Sequence, residues 1–334
     1  MIIGTRSEGP QKPPGTIRGV VERVLLASPR GYCAGVERAV ETVERALDLH
    51  GPPVYVRKQI VHNLHVVREL EQRGAVFVDS EELAPAGATL VLSAHGVAPA
   101  VRLRARERGL ATIDATCPLV TKVHVEAQRY AAEGYTIVLI GHAGHEEVVG
   151  TTGEAPEAIV LVQTVPEAEM VELPREGKLA YITQTTLSVD ETTEIISVLR
   201  RRFSHIQGPK KEDICYATSN RQWAVKELLA HVQLLLVIGS HNSSNSNRLV
   251  EAARAGGVDA HLIDDESEID PAWLDGVVTV GVTSGASAPE TLVTRVCDWF
   301  RGRGVTAIEP FRSVHEDVVF KLPVELRRAQ ASAA

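Results

Sequence analysis

Leu234-Leu235-Leu236-Val237-Ile238-Gly239-Ser240-His241-Asn242-Ser243-Ser244-Asn245-Ser246-Asn247 decides how the rest of the chain is read. Five aliphatic residues without a polar break are too few for a helix. They lack the alternation of a half-exposed strand, so they fit a strand covered on both faces, as in a parallel sheet. The run stops at a glycine and gives way to hydroxyls and amides, the chemistry of a loop. The same pattern recurs at residues 24–27, 89–92, 136–140, 178–182 and 277–282. There the following segments read SPRGYCAG, SAHGV, GHAGHEE, TQTTLS and TSGASAPE. Amphipathic stretches separate the strands; Val36, Ala39, Val40, Val43, Ala46 and Leu47 share one helical face that ends at Gly51. This alternation predicts an α/β fold with mainly parallel sheets. Any one of the polar loops reads equally well as a plain connection. Six of one chemistry, at the carboxyl ends of parallel strands, are expected to converge on a single cavity.

The chain has 334 residues, room for two or three such units. We expect three similar α/β lobes, 20–117, 118–211 and 212–312, each with a cysteine-bearing loop near its start. Residues 1–19 read as a disordered extension and 313–334 as a C-terminal tail, loose over 330–334. A net charge of −8 with no Lys/Arg block argues against nucleic acid. No apolar run nears the roughly 20 residues of a membrane span. The start of the chain, with Pro10, Pro13 and Pro14, lacks the apolar core of a signal peptide, so a cytoplasmic protein is expected. Neither a GxGxxG after a strand nor a GxxxxGK[ST] occurs, which removes the dinucleotide fingerprint and the P-loop.

Four cysteines are too few for a disulfide framework in a chain this long. Cys33, Cys117 and Cys215 each stand just before a helical stretch, where the helix field favours thiolate. Cys297 keeps step with Val293, Val296 and Phe300 and reads as core. Iron–sulfur clusters normally take four cysteines, and three would leave one metal position open for a substrate. Spacing alone leaves two alternatives standing: three unrelated buried thiols, and structural zinc, whose ligands usually come in close pairs.

Gly141-His142-Ala143-Gly144-His145-Glu146-Glu147 gathers imidazoles and carboxylates at a strand end. Its glycines oppose the helix that an HExxH metalloprotease requires, and general acid chemistry fits better. His62 and His95, taken singly, read equally as hydrogen-bonded structural residues. Ser243 to Asn247 and Ser284 to Ser287 offer hydroxyls and backbone N–H groups at helix entrances, suited to phosphate oxygens or to capping.

Together RGYCAGV, QIVHN, SAHGV, DATCPLVTKVH, GHAGHEEVVGTTGE, TQTTLSVDET, DICYATSNRQ, GSHNSSNSNRL and GVTSGASAPE closely resemble the 4-hydroxy-3-methylbut-2-enyl diphosphate reductase family of isoprenoid biosynthesis. The resemblance runs from about Val24 to Phe311. It implies three lobes round a central cavity that holds a 4Fe–4S cluster, ligated by Cys33, Cys117 and Cys215 with one iron open. It further implies Glu147 as proton donor, Thr185 beside the substrate hydroxyl, and His62, His95 and His145 lining the pocket, His145 near the reacting end. Ser243, Ser244, Asn245 and Ser287 would hold the diphosphate, and a ferredoxin or flavodoxin-type donor would supply electrons. Glu146 stands where many relatives carry proline. The rival expectations are a non-redox iron–sulfur dehydratase and a non-catalytic iron–sulfur sensor.

Overall fold

Helices that return the chain to the same edge force parallel pairing, and every strand pair here is parallel. The computed structural model describes residues 21–174 and 176–333. The expected N-terminal extension lies outside the described residues. The first third of the chain runs β1 (Arg23–Ser28), α1 (Ala34–His50), β2 (Val54–Arg57), α2 (Leu64–Gln72), β3 (Ala75–Val78), β4 (Thr89–Leu92), α3 (Pro99–Glu107) and β5 (Ala111–Asp114). Next come α4 (Pro118–Ala132), β6 (Tyr135–Ile140), α5 (Glu146–Glu154), β7 (Ile159–Val162), α6 (Val165–Met170), β8 (Lys178–Thr183) and α7 (Val189–Arg202). The last third holds α8 (Tyr216–Leu228), β9 (Leu234–Ile238), α9 (Ser244–Ala255), β10 (Asp259–Ile263), β11 (Thr279–Ser284), α10 (Glu290–Arg301), β12 (Ala307–Arg312) and α11 (Val324–Ala333).

The described residues form three sheets, in the orders β3-β2-β4-β5, β7-β6-β8 and β10-β9-β11-β1-β12. Each carries a core on both faces. In β9, Leu234, Leu236 and Ile238 enter one core and Leu235 and Val237 the other. That two-sided burial explains the unbroken aliphatic run, each leucine contributing roughly 1.5–3 kcal/mol. Cys297 is buried in the core beneath α10.

Two boundaries differ from the sequence expectation. β1, assigned to the 20–117 lobe, instead pairs with β11 and β12 of the third sheet, Arg23 standing opposite Thr279 and Ala307. Its residues feed both cores of that sheet, Val24 one and Leu25 and Ala27 the other. A strand apolar on both faces suits an interior position. The expected C-terminal tail is a strap ending in α11. Ser313 N–H donates to Ser28 O at 3.0 Å, and Arg38 Nε donates to Lys321 O at 2.7 Å. Leu326 is buried in the core of the first sheet. One buried leucine among polar neighbours gives too little periodicity to announce the helix.

Candidate active site

The three loop cysteines are the N-cap residues of α1, α4 and α8. Proline at the first position of α4 fixes where that helix begins. Backbone bonds stitch each cysteine to another loop of the site. Cys33 N–H donates to Ala286 O at 3.2 Å, Cys117 N–H to Ala94 O at 2.9 Å and Cys215 N–H to Thr185 O at 3.0 Å. The Cys33 and Cys117 sulfurs flank Gly35, where a Cβ would lie 2.7 Å from Cys117 Sγ and 3.8 Å from Cys33 Sγ. Only glycine leaves that cradle open.

Burial outweighs the helix field on these thiols. It pushes Cys117 up to about 12 and Cys215 to about 11, and Cys33 is raised as well. Nearby backbone N–H groups act in the opposite direction on all three, and Arg221 does so on Cys33. A buried trio of soft donors that resists ionisation alone fits a metal or metal–sulfide group whose binding supplies the missing positive charge. Structural zinc fits less well, because only three thiols are present and the fourth cysteine is in the core.

His62, His95 and His145 share a cavity with the three cysteines. The rings of His62 and His95 stack with centroids 4.1 Å apart, and His145 meets them edge-on at 5.7 and 6.0 Å. Burial first, then mutual repulsion, lowers His62 to about 4 and takes His95 well below the usual imidazole range. His145 also falls to about 4, through burial and then His142. All three are therefore neutral near pH 7, each with one N–H to give. His145 Nδ1 accepts the Glu147 N–H at 3.2 Å, which fixes the entry to α5.

Glu147 is buried in the first turn of α5. Its Oε2 accepts the Thr185 N–H at 2.9 Å and the Thr185 Oγ1 hydroxyl at 2.8 Å. Those bonds favour the carboxylate, but burial prevails and the carboxyl is raised above its ordinary value. The serine and asparagine loops tie the lobes together. Ser244 Oγ donates to Thr186 O at 2.9 Å and Ser287 Oγ to His62 O at 2.9 Å. Asn245 Oδ1 accepts the Ala286 N–H at 2.8 Å, and Ser243 caps α9.

One cavity is lined by Cys33, Cys117 and Cys215, by His62, His95 and His145, and by Glu147 and Thr185. Ser243, Ser244, Asn245 and Ser287 complete it, so every site residue expected from the sequence borders the same space. Sequence reading missed Thr218, whose hydroxyl is 3.2 Å from Cys215 Sγ and 3.4 Å from Asn245 Nδ2. It also missed Arg221, fully buried, which donates to Gly31 O at 2.8 Å and pairs with Glu316 at 3.1 Å. An arginine on the inward face of α8, in step with Ala217, Ala224 and Val225, was the available signal.

Three parallel sheets whose strand ends close on helix-capping thiols, neutral imidazoles and a buried acid define a trilobed α/β protein with one thiol-lined cavity. The chain belongs to the LytB protein family, whose model matches residues 24–301. It is 62% identical over 307 residues to a protein of Acidothermus cellulolyticus named 4-hydroxy-3-methylbut-2-enyl diphosphate reductase, covering 92% of this chain and 90% of that one. A Mycobacterium tuberculosis (strain H37Rv) protein named 4-hydroxy-3-methylbut-2-enyl diphosphate reductase 2 is 60% identical, with 92% of each chain covered. The solved structure titled as the E-1-hydroxy-2-methyl-but-2-enyl-4-diphosphate reductase from Plasmodium falciparum superposes with a TM-score of 0.90 at 39% identity. That match covers 93% of this chain and 99% of that one.

Proposed function

We propose that the chain reductively removes the hydroxyl of 4-hydroxy-3-methylbut-2-enyl diphosphate, giving isopentenyl and dimethylallyl diphosphates. The observation that carries this reading is the meeting of three thiols with the Glu147–Thr185 pair in one buried cavity. Cys33, Cys117 and Cys215 would hold a 4Fe–4S cluster. When bound, that group supplies electrons singly and a Lewis-acidic open iron.

The rest of the chemistry belongs to side chains. Hydroxide leaves poorly, and Glu147, whose hold on its proton burial strengthens, gives that proton so that water departs instead. Thr185 fixes Oε2 through two bonds; among the described residues no protein group bonds Oε1, which leaves that oxygen for the substrate. Ser243, Ser244, Asn245 and Ser287 exchange their loop partners for diphosphate oxygens at the entrance of α9, where the helix field favours an anion. His62, His95 and His145 donate neutral N–H bonds and become more basic as the anion arrives. The diphosphate does not react; its binding positions the allylic end.

A ferredoxin or flavodoxin-type protein would deliver the electrons. The cytoplasm suits four cysteines free of disulfides. Apart from β1, each third of the chain builds one lobe, with divisions near 117, 211 and 312; no helix of the described residues is long and apolar enough to cross a membrane.

Iron and acid-labile sulfide, measured on protein purified without oxygen, should fit one four-iron cluster, and turnover of the allylic diphosphate should require reductant. Protein that refuses reconstitution would sink the cluster reading. Turnover without reductant would indicate a dehydratase, and tight substrate binding without any turnover a sensor.

A further inference from the structure

α8 carries a buried charge that the chemistry above does not use. The Arg221 side chain is 0% exposed, and its partner Glu316, on the C-terminal strap, is 15% exposed. Arginine is almost never buried so fully unless paired. Pairing by itself adds little stability, because stripping water from both ions offsets most of their attraction. What the guanidinium reaches is more telling. Nη2 donates to Gly31 O at 2.8 Å, and Nη1 donates to Ala217 O at 3.0 Å and to the Glu316 carboxylate at 3.1 and 3.3 Å. Nε is buried and, among the described residues, has no hydrogen-bond partner. Gly31 stands two residues before Cys33, and Ala217 two after Cys215, so one cation touches both cysteine-bearing turns. Glu316 is held by α8 as well, since its Oε1 accepts Asn220 Nδ2 at 3.1 Å. Burial acts most strongly on Cys33 and raises it; against that, Arg221 lowers the thiol by more than Glu316 raises it. The pair thus presents its positive end to Cys33.

We propose that Arg221 is a positioning residue that sets the reduction potential of the group held by Cys33, Cys117 and Cys215, with Glu316 as its counterweight. The inference rests on the cluster reading given above. Each electron that the carrier protein delivers adds negative charge beside the thiolates, while no bond forms or breaks and no proton moves. In a buried, low-dielectric place a fixed positive charge favours the more negative, reduced form. Arg221 therefore makes reduction easier, and Glu316 limits the effect. A neutral donor could hold Gly31 O in place, but only a cation does both. Arginine keeps its proton in any protein environment, so the charge is constant across the working pH range.

The test is a redox titration of the substrate-free holoenzyme, reconstituted without oxygen and read by the EPR signal of the reduced centre. R221Q keeps an N–H donor but loses the charge and leaves Glu316 unpaired. At a fixed potential its ratio of reduced to oxidised centre should fall roughly tenfold, a midpoint about 59 mV more negative for a one-electron couple. E316Q frees the guanidinium of its counter-charge and should move the midpoint the opposite way. R221K keeps the charge and should stay near wild type. A merely loosened loop would move all three variants in one direction; that result, or three unmoved midpoints, would overturn the proposal. Should R221Q fail to take up iron, E316Q decides alone, because it leaves Arg221 and its bond to Gly31 in place. Without a positive shift in E316Q the proposal fails. Wild-type protein that shows no EPR-active centre on reduction would instead defeat the cluster reading itself.

Discussion

At the scale of single residues, the site contrasts groups that act with groups that make room. Glu147→Gln keeps the shape and the Thr185 contact but has no proton to give. We expect substrate binding to survive and turnover to fall about 10²–10⁴-fold, the usual contribution of a general acid. Wild-type turnover in that variant would remove Glu147 from the chemistry. The acid must be protonated to act, and burial raises its pKa. Activity should therefore persist above the ordinary carboxylate range and decline as pH rises through that raised value. Gly35→Ala tests the cradle. A methyl 2.7 Å from Cys117 Sγ should lower iron content while circular dichroism stays native; full iron loading would show that the sulfurs have room to shift. Residues such as Cys117 and Glu147 were legible because a reactive side chain beside glycine or proline is conspicuous in one dimension. His124 and Arg221 were not, because what each touches across the fold decides its meaning: Glu154 for one, Gly31 and Glu316 for the other.

At the scale of elements, strands buried on both faces were easy to read. The runs at 89–92 and 234–238 coincide with β4 and β9. The strand expected at 277–282 is displaced to β11, because Val277 belongs to the preceding turn. β2, β3, β5 and β7 went unread although β4 is no longer than they are, and β12 contains Glu309, Pro310 and Arg312, which leave it no strong pattern. α11 was missed for the same reason. Its anchor predicts a clear result: Leu326→Ala, which empties a buried side chain from the first core, should cost about 2–5 kcal/mol in chemical denaturation. An unchanged midpoint would mean that the strap is dispensable. Between elements, Glu146 at the head of α5 lies 3.6 Å from Arg57 and 4.0 Å from Lys58 at the end of β2. Buried Glu81 holds Arg57 in place, so the pair links two lobes beside Glu147.

At the scale of the whole molecule, the imidazole trio makes stability depend on pH. His62 and His145 have pKa values of about 4 in the folded protein against 6.5 for the free side chain. Between those values the unfolded chain binds more protons. Stability should therefore fall as pH drops from 6.5 towards 4 and lose no more to these groups below that. Denaturant midpoints of substrate-free protein test this, and pyrophosphate should offset part of the loss. A flat profile would mean that the rings are wetter than the structure implies. The whole-molecule feature with the widest reach is the placement of β1. Interior to the third sheet, it has no partner until residues 279–312 have been made. On the ribosome the loop carrying Cys33 must wait, among the earliest segments synthesised and among the last to find its seat. The cavity is thereby timed as well as shaped: the Cys33 loop gains its seat beside the other two cysteine loops only after β11 and β12 have been made.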